Sequence, residues 1–250
     1  MTKRIIEKSD ALRLKAFGEN YEAVMERASA ENWPPAKIME HFFDLELERR
    51  RELRVEKCYK ESKLTEKPTI DQFDFDHHAS RKKQRNRILD LLTLSFVEEN
   101  TDVILIGNPG VGKSFIGKCV AYAATQAGIK TLFTTAADMI NHLNAAEANH
   151  MLLQKLRFYQ APALLLVDEI GYLPLGDNGS NLFFQVITAR HGKKSTMITT
   201  NRVFADWGEV FDNSVVATAI ADRLVANSVP IILEGESYRK RLNSKNRKHK

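Results

Sequence analysis

From residue 102 onward the sequence predicts an α/β fold, a parallel sheet with helices on both faces. Three observations carry that expectation. The apolar run Val103-Ile104-Leu105-Ile106 enters Gly107-Asn108-Pro109-Gly110-Val111-Gly112-Lys113-Ser114, which fits G-x-x-x-x-G-K-[ST] at every fixed position, with strand character before it and helix character after. A second apolar run, Ala163-Leu164-Leu165-Leu166-Val167, ends on Asp168-Glu169. Between and beyond these, strand-like and helix-like segments alternate, the pattern of a parallel sheet wrapped by helices. Strands are expected at 103–106, 130–134, 163–167, 195–200 and 229–233. Helices are expected at 113–126, from 136 to 142, at 151–159, at 181–190 and at 215–226, the first closed by Ala127-Gly128. A ligand of such a sheet belongs at the carboxyl ends of its strands.

The residue types in the Gly-rich turn suit a triphosphate. Gly107, Gly110 and Gly112 let the backbone curl so that successive N–H groups face one anion, and the helix start adds its positive dipole end. Lys113 can reach β- and γ-phosphates, and Ser114 can offer its hydroxyl to Mg²⁺. The loop as a whole, with Asn108, Pro109, Val111 and Phe115, is the expected ATP-binding segment. A Gly-rich turn that binds nothing is the bland alternative, and the agreement of motif with context argues against it. A buried strand ending in two acids delivers carboxylates to the same edge. Asp168 is placed to hold Mg²⁺, and Glu169 to orient or polarise an attacking water. The strand at 195–200 ends in Asn201, which either positions that water or caps the next turn. Arg223, in Ile220-Ala221-Asp222-Arg223-Leu224, and Arg190, at a helix end, are both candidates to reach a neighbouring subunit's nucleotide; position alone does not choose between them.

The first 66 residues read as helical, broken at Asn32-Trp33-Pro34-Pro35, with a helix restarting at Pro35. The stretch 46–60 is dense in both signs of charge and reads as an exposed helix, open to a partner or simply solvated. Glu66-Lys67-Pro68-Thr69 reads as a linker, which divides the chain into a small helical domain at 1–66, a nucleotide domain at 67–238 and a basic tail at 239–250. Phe73 and Phe75 either pack on an adenine ring or anchor the linker, and a helix is expected over 80–96. Net charge is +5, but residues 239–250 hold seven Lys/Arg and no acid, and without them the rest is net −2. A second basic cluster, Arg81-Lys82-Lys83-Gln84-Arg85-Asn86-Arg87, precedes the first strand. Such runs suit contact with a polyanion or, more blandly, a solvated face. Cys58 and Cys119 sit in no metal spacing, and no apolar run approaches a membrane span or a signal peptide, so a cytoplasmic location without membrane contact is expected.

Taken in order, the Gly-rich loop, the Leu-Leu-Leu-Val-Asp-Glu strand, Thr199-Thr200-Asn201, Ala221-Asp222-Arg223-Leu224 and Ser237-Tyr238-Arg239 resemble the IstB-like transposition helper ATPases. These are relatives of DnaC-type helicase loaders within the AAA+ class, and residues 17–53 are similar to the small helical region at the start of that group. The resemblance implies an ASCE-type sheet of order 5-1-4-3-2 and no separate lid domain, since little chain follows Leu233. It favours Arg223 over Arg190 as the residue acting in trans, and gives Arg239 a phosphate or subunit contact. It implies an ATP-dependent oligomer that hydrolyses ATP, binds duplex DNA with little sequence preference and recruits or stimulates a transposase. The rival functions are a helicase loader, a P-loop small-molecule kinase, and an architectural DNA-binding protein that binds ATP without turning it over.

Overall fold

The computed structural model describes residues 2–211 and 214–238. The basic tail at 239–250, and with it Arg239, lies outside the described residues. The described chain forms two compact units that divide at Lys57/Cys58.

The first unit consists of helices α1 (Thr2–Ala11) and α2 (Lys15–Ala30) and most of α3 (Pro35–Glu61). Val24, Ala28, Trp33 and Phe42 form its core, with Phe17, Tyr21, Ile38 and Leu45 packed around them. Phe17 stacks on Phe42 at 4.0 Å between ring centroids. Pro35 opens α3, where its missing N–H costs nothing. Glu46 is buried, and its Oε2 accepts the backbone N–H of Ala16 at the first turn of α2 (3.0 Å), while Oε1 accepts from Arg50 Nε (2.9 Å). A carboxylate thus satisfies a donor that a helix start leaves without an intrahelical partner.

The second unit is a five-stranded parallel sheet with β1 (Asp102–Gly107), β2 (Thr131–Thr135), β3 (Leu164–Ile170), β4 (Ser195–Thr200) and β5 (Ser228–Leu233). Its order is β2-β3-β4-β1-β5, which is the expected 5-1-4-3-2 read from the other edge. Every strand pair is parallel. Successive side chains of β1 point to opposite faces. Ile104 and Ile106 join one core, with α7 (Ala136–Ala148), α8 (Leu152–Gln160), α9 (Gly176–Arg190), α10 (Trp207–Val210) and α11 (Ser214–Ala226). Val103 and Leu105 join the other, with α4 (Ala79–Leu91), α5 (Ser95–Glu98) and α6 (Lys113–Gln126). Burial on both faces explains why β1 and β3 read as unbroken apolar runs rather than as alternating ones.

Three differences from the expected elements have local causes. The single helix anticipated over 80–96 is two, α4 and α5. Thr93 Oγ1 donates to Asp90 O (2.8 Å) and accepts from Ser95 N (3.4 Å), and Leu94 turns left-handed at φ 64°, so the ladder stops and restarts. The segment expected as linker, 66–69, lies inside the second unit rather than between units. Just before it, Ser62 O accepts from Phe133 N (2.8 Å) and Leu64 joins the second core. Strand β3 runs three residues past the expected end at Val167. The pairing shifts between Val167 and Ile170, so Asp168 and Glu169 sit on a bulge. No helix among the described residues is long and apolar enough to cross a membrane.

Candidate nucleotide site

At the carboxyl edge of the sheet lies a cavity of about 450 Å³, within the usual size range of a small-molecule site. Its walls come from the Gly-rich loop after β1, from the end of β3 and from the end of β4. Pro109, Gly110, Gly112, Lys113, Ser114 and Phe115 line one side, and Asp168, Glu169 and Asn201 the other. The sequence places these groups some 30 to 90 positions apart, and the strand order brings them together.

The loop is tightly held. Gly110 (φ 84°) and Gly112 (φ 106°) adopt conformations that a side chain disfavours. A Cβ on Gly110 would stand 2.1 Å from Ser237 Oγ, and one on Gly112 2.5 Å from Phe73 Cε2. Lys113 Nζ donates to Gly107 O (2.7 Å) and Asn108 O (3.0 Å), folding its side chain back over the loop. Gly107 and Asn108 therefore meet the site through Lys113 and do not line the cavity themselves. Val111 turns its side chain into the core, and its carbonyl is occupied by Arg81.

The opposite wall is built by the bulge. Glu169 stands at φ 64°, a left-handed conformation that costs a residue with a Cβ about 1 kcal/mol or more. The turn leaves Asp168 nearly buried and Glu169 exposed. One hydroxyl ties the pair: Thr199 Oγ1 donates to Asp168 Oδ1 and accepts from Glu169 N (3.0 Å). Thr199 also lines the cavity. A threonine inside a buried strand reads as an ordinary β-former, so the sequence marks Thr199 only by its place two residues before Asn201.

Seven more lining groups were not assigned from sequence: Gln72, Asp74, Arg81, Lys118, Tyr172, Thr200 and Tyr238. Arg81 corrects an expectation. Read as one member of an exposed basic cluster, in contact with a polyanion or simply solvated, it is 2% exposed. Its Nε and Nη2 donate to Val111 O (3.1 and 2.8 Å) and its Nη1 to Asp74 O (2.9 Å), while the rings of Phe73 (4.5 Å) and Tyr238 (5.1 Å) flank the guanidinium. Burial pulls its pKa below the ordinary arginine value, with Asp74 opposing the shift. Phe73 joins the core and lines the cavity as well, whereas Phe75 packs on the core without lining it.

The two candidate trans arginines part company. Arg190 is 1% exposed and lies at the opposite edge of the sheet. Its guanidinium donates to Tyr159 O (3.2 Å), Pro162 O (2.8 Å), Ser195 O and Thr196 Oγ1 (3.0 Å). Such a group holds strand ends together and cannot reach another subunit, which overturns that reading of Arg190. Arg223 lies on α11 outside its own chain's cavity. There it stacks on Phe184 at 4.7 Å and donates to Ala219 O (2.8 Å).

The residues fit a magnesium nucleotide. Ser114 and Asp168, an oxygen pair of the kind a hard cation takes, face the same cavity as Lys113. No cluster of three or more His, Cys, Asp or Glu able to hold a metal occurs among the described residues, so the site has no all-protein cation cage.

A family model described as IstB-like ATP binding protein matches residues 7–246. The chain belongs to the IstB-like ATP-binding family. It is 36% identical over 241 residues to a Geobacillus stearothermophilus protein whose name assigns it to insertion sequence IS5376 and to ATP binding; the match covers 96% of this chain and 95% of that one. A Pseudomonas aeruginosa protein named likewise for insertion sequence IS21 is 33% identical over 228 residues, covering 91% of this chain and 85% of that one. Among solved structures, the DnaC helicase loader superposes with TM-score 0.54 at 21% identity, covering 71% of this chain and 98% of that one. AMPPCP-bound DnaA from Aquifex aeolicus superposes with TM-score 0.59 at 16% identity, covering 75% and 57%. At those identities the structural likeness shows the fold of this IstB-like chain, that of AAA+ P-loop proteins.

Proposed function

We propose that this IstB-like chain hydrolyses ATP and works as an ATP-dependent oligomer on duplex DNA, where it recruits or stimulates the transposase of an insertion sequence. The observation that carries this reading is the meeting of Lys113 and Ser114 with Asp168, Glu169 and Asn201 around one cavity. In it, Lys113 exchanges its loop carbonyls for the β- and γ-phosphates. Magnesium, when bound with the nucleotide between Ser114 and Asp168, supplies positive charge to the phosphates. Glu169 accepts a hydrogen bond from the attacking water, and Asn201 holds that water in line. Thr199 keeps Asp168 and Glu169 in register. Arg223 enters from a neighbouring subunit and neutralises charge on the transferring group, so assembly and turnover are linked. The names of the relatives support an insertion-sequence role over that of a helicase loader, and capture of a transposase rather than a replicative helicase from solution separates the two. The adjacent acids favour water as the acceptor over a metabolite hydroxyl, which argues against a kinase.

The test pairs two variants. Glu169→Gln is expected to keep ATP binding, to lose roughly a hundred-fold or more in hydrolysis and to lengthen the life of DNA complexes. Arg223→Ala is expected to be similarly slow alone. Mixed together, the two recover part of the rate, because some composite sites pair an intact Glu169 with an intact Arg223. Unaltered hydrolysis by Glu169→Gln removes its assigned role, and a mixture as slow as its parents removes the trans role of Arg223.

A further inference from the structure

Helix α4 has two sides of opposite character. Arg81, Ile88 and Leu91 face inward and are buried. Lys82, Lys83, Arg85 and Arg87 face outward and are exposed, and no acid lies between Ala79 and Leu89. Their existing partners are weak. Lys82 meets Asp76 at 3.7 Å with both side chains largely in solvent, Arg87 Nη1 reaches Gln84 Oε1 at 3.5 Å, and Arg85 rests over the Phe75 ring at 5.5 Å. Asp90, one turn on, is the next acid and is exposed. Like charges at i and i+4, such as Lys83 and Arg87, disfavour the helix they sit on, a cost that a polyanion would remove.

The inward side of the same helix is fastened to the nucleotide loop. Arg81 holds Val111 O with two N–H groups. Residues 234–238 run alongside: Glu234 N donates to Ser80 Oγ (3.0 Å), Tyr238 N donates to Gly110 O (3.0 Å), and the Tyr238 ring meets His77 edge-on at 5.0 Å. Two consecutive loop carbonyls, at Gly110 and Val111, are therefore held by groups belonging to α4 or packed against it.

We propose that Lys82, Lys83, Arg85 and Arg87 form a surface for the phosphate backbone of duplex DNA, and that Arg81 and Tyr238 tie this surface to the nucleotide site. The partner follows from the chemistry. Four exposed cations on one helix suit phosphates, and contacts to phosphates position a duplex without carrying sequence information. The coupling follows from geometry. A nucleotide that orders the loop orders its carbonyls, and charge-assisted bonds to a buried guanidinium transmit that order to the helix. This inference rests on the DNA-binding reading above and adds where the DNA sits and how ATP is felt there.

The experiment measures fluorescence anisotropy of a mixed-sequence duplex with the full chain over a range of salt, with and without magnesium ATP. The combined variant Lys82→Gln, Lys83→Gln, Arg85→Gln and Arg87→Gln is expected to keep its ATP affinity. It should lose roughly ten- to several hundred-fold in duplex affinity, and the slope of log affinity against log salt should become shallower by about 3 to 4. Affinity and slope equal to those of the unaltered chain overturn the surface while leaving the DNA-binding reading intact. Absence of duplex binding by the unaltered chain overturns both. At ATP concentrations that saturate each variant, Arg81→Lys and Tyr238→Ala are expected to lose the gain in duplex affinity that ATP confers on the unaltered chain. Retention of that gain in either variant overturns the link.

Discussion

Thr199 carries more of the site than its size suggests. A single hydroxyl donates to the Asp168 carboxylate and accepts the Glu169 N–H, so it fixes both that carboxylate and the backbone at Glu169. Thr199→Val keeps the shape of a buried β-branched side chain and removes both bonds. A lost hydrogen bond to a charged group is worth about 1.5–3 kcal/mol, which corresponds to roughly ten- to hundred-fold in rate. Hydrolysis should fall by that factor with ATP affinity preserved, and Thr199→Ser should restore most of it. A loss of ATP binding equal to the loss of rate would instead assign Thr199 a purely structural role. At this scale the sequence was readable where the backbone itself does the chemistry. Gly110, Gly112 and Lys113 declare themselves because few other residues satisfy such a loop. Arg81 and Arg190 did not declare themselves. An arginine with several carbonyl acceptors looks, in sequence, like any surface arginine, and only the fold shows that both are buried.

At the scale of the element, the bulge on β3 and the polar cluster at the other end of the sheet perform opposite tasks. The bulge turns two carboxylates toward the cavity. The spacing of apolar residues predicted where β3 begins and could not predict its end, because Asp168 and Glu169 remain in the strand through an extra residue. The opposite edge is closed by Asp102, which accepts from Thr196 N (2.6 Å) near the Arg190 guanidinium. Burial pushes the Asp102 carboxyl up to about 7, against the pull of the Thr196 N–H and Arg190. Burial likewise lowers Arg190 to about 10, with Asp102 opposing. A raised carboxyl pKa means that the folded chain holds a proton that the unfolded chain has released. Its contribution to stability is full below the ordinary value of 3.8, is lost progressively as pH rises, and is gone above about 7. The loss across that window is of the order of 4 kcal/mol. Asp102→Asn retains an Oδ1 acceptor and cannot ionise. Its urea unfolding midpoint, relative to that of the unaltered chain, should rise between pH 4 and pH 8. A difference that stays constant with pH would show that Asp102 is ionised in the folded state throughout.

For the whole molecule, the parallel order of five strands places Lys113, Ser114, Asp168, Glu169 and Asn201 at one edge and the cluster of Asp102, Arg190 and Thr196 at the other. The parallel sheet was legible through the alternation of elements, helped by the apolar runs of β1 and β3, and the strand order through the resemblance of the motifs. What the sequence could not supply was convergence over distance. Phe73, Arg81 and Tyr238 meet the Gly-rich loop from far apart along the chain, and no periodicity encodes such a meeting. The break inside α3 was hidden for a related reason: a helix of uniform charge density runs through it without any turn residue to mark the place where one compact unit gives way to the next. Everything proposed for turnover, assembly and DNA depends on a triphosphate being gripped at the loop between Gly107 and Ser114. The most direct measurement is calorimetric titration of the full chain with ATP in the presence of magnesium, beside Lys113→Ala. One nucleotide per chain, with affinity lowered at least roughly ten-fold in Lys113→Ala by loss of a charge-assisted phosphate contact, is the expected result. No heat of binding to the unaltered chain, or equal affinity in the two, would contradict the account at its root.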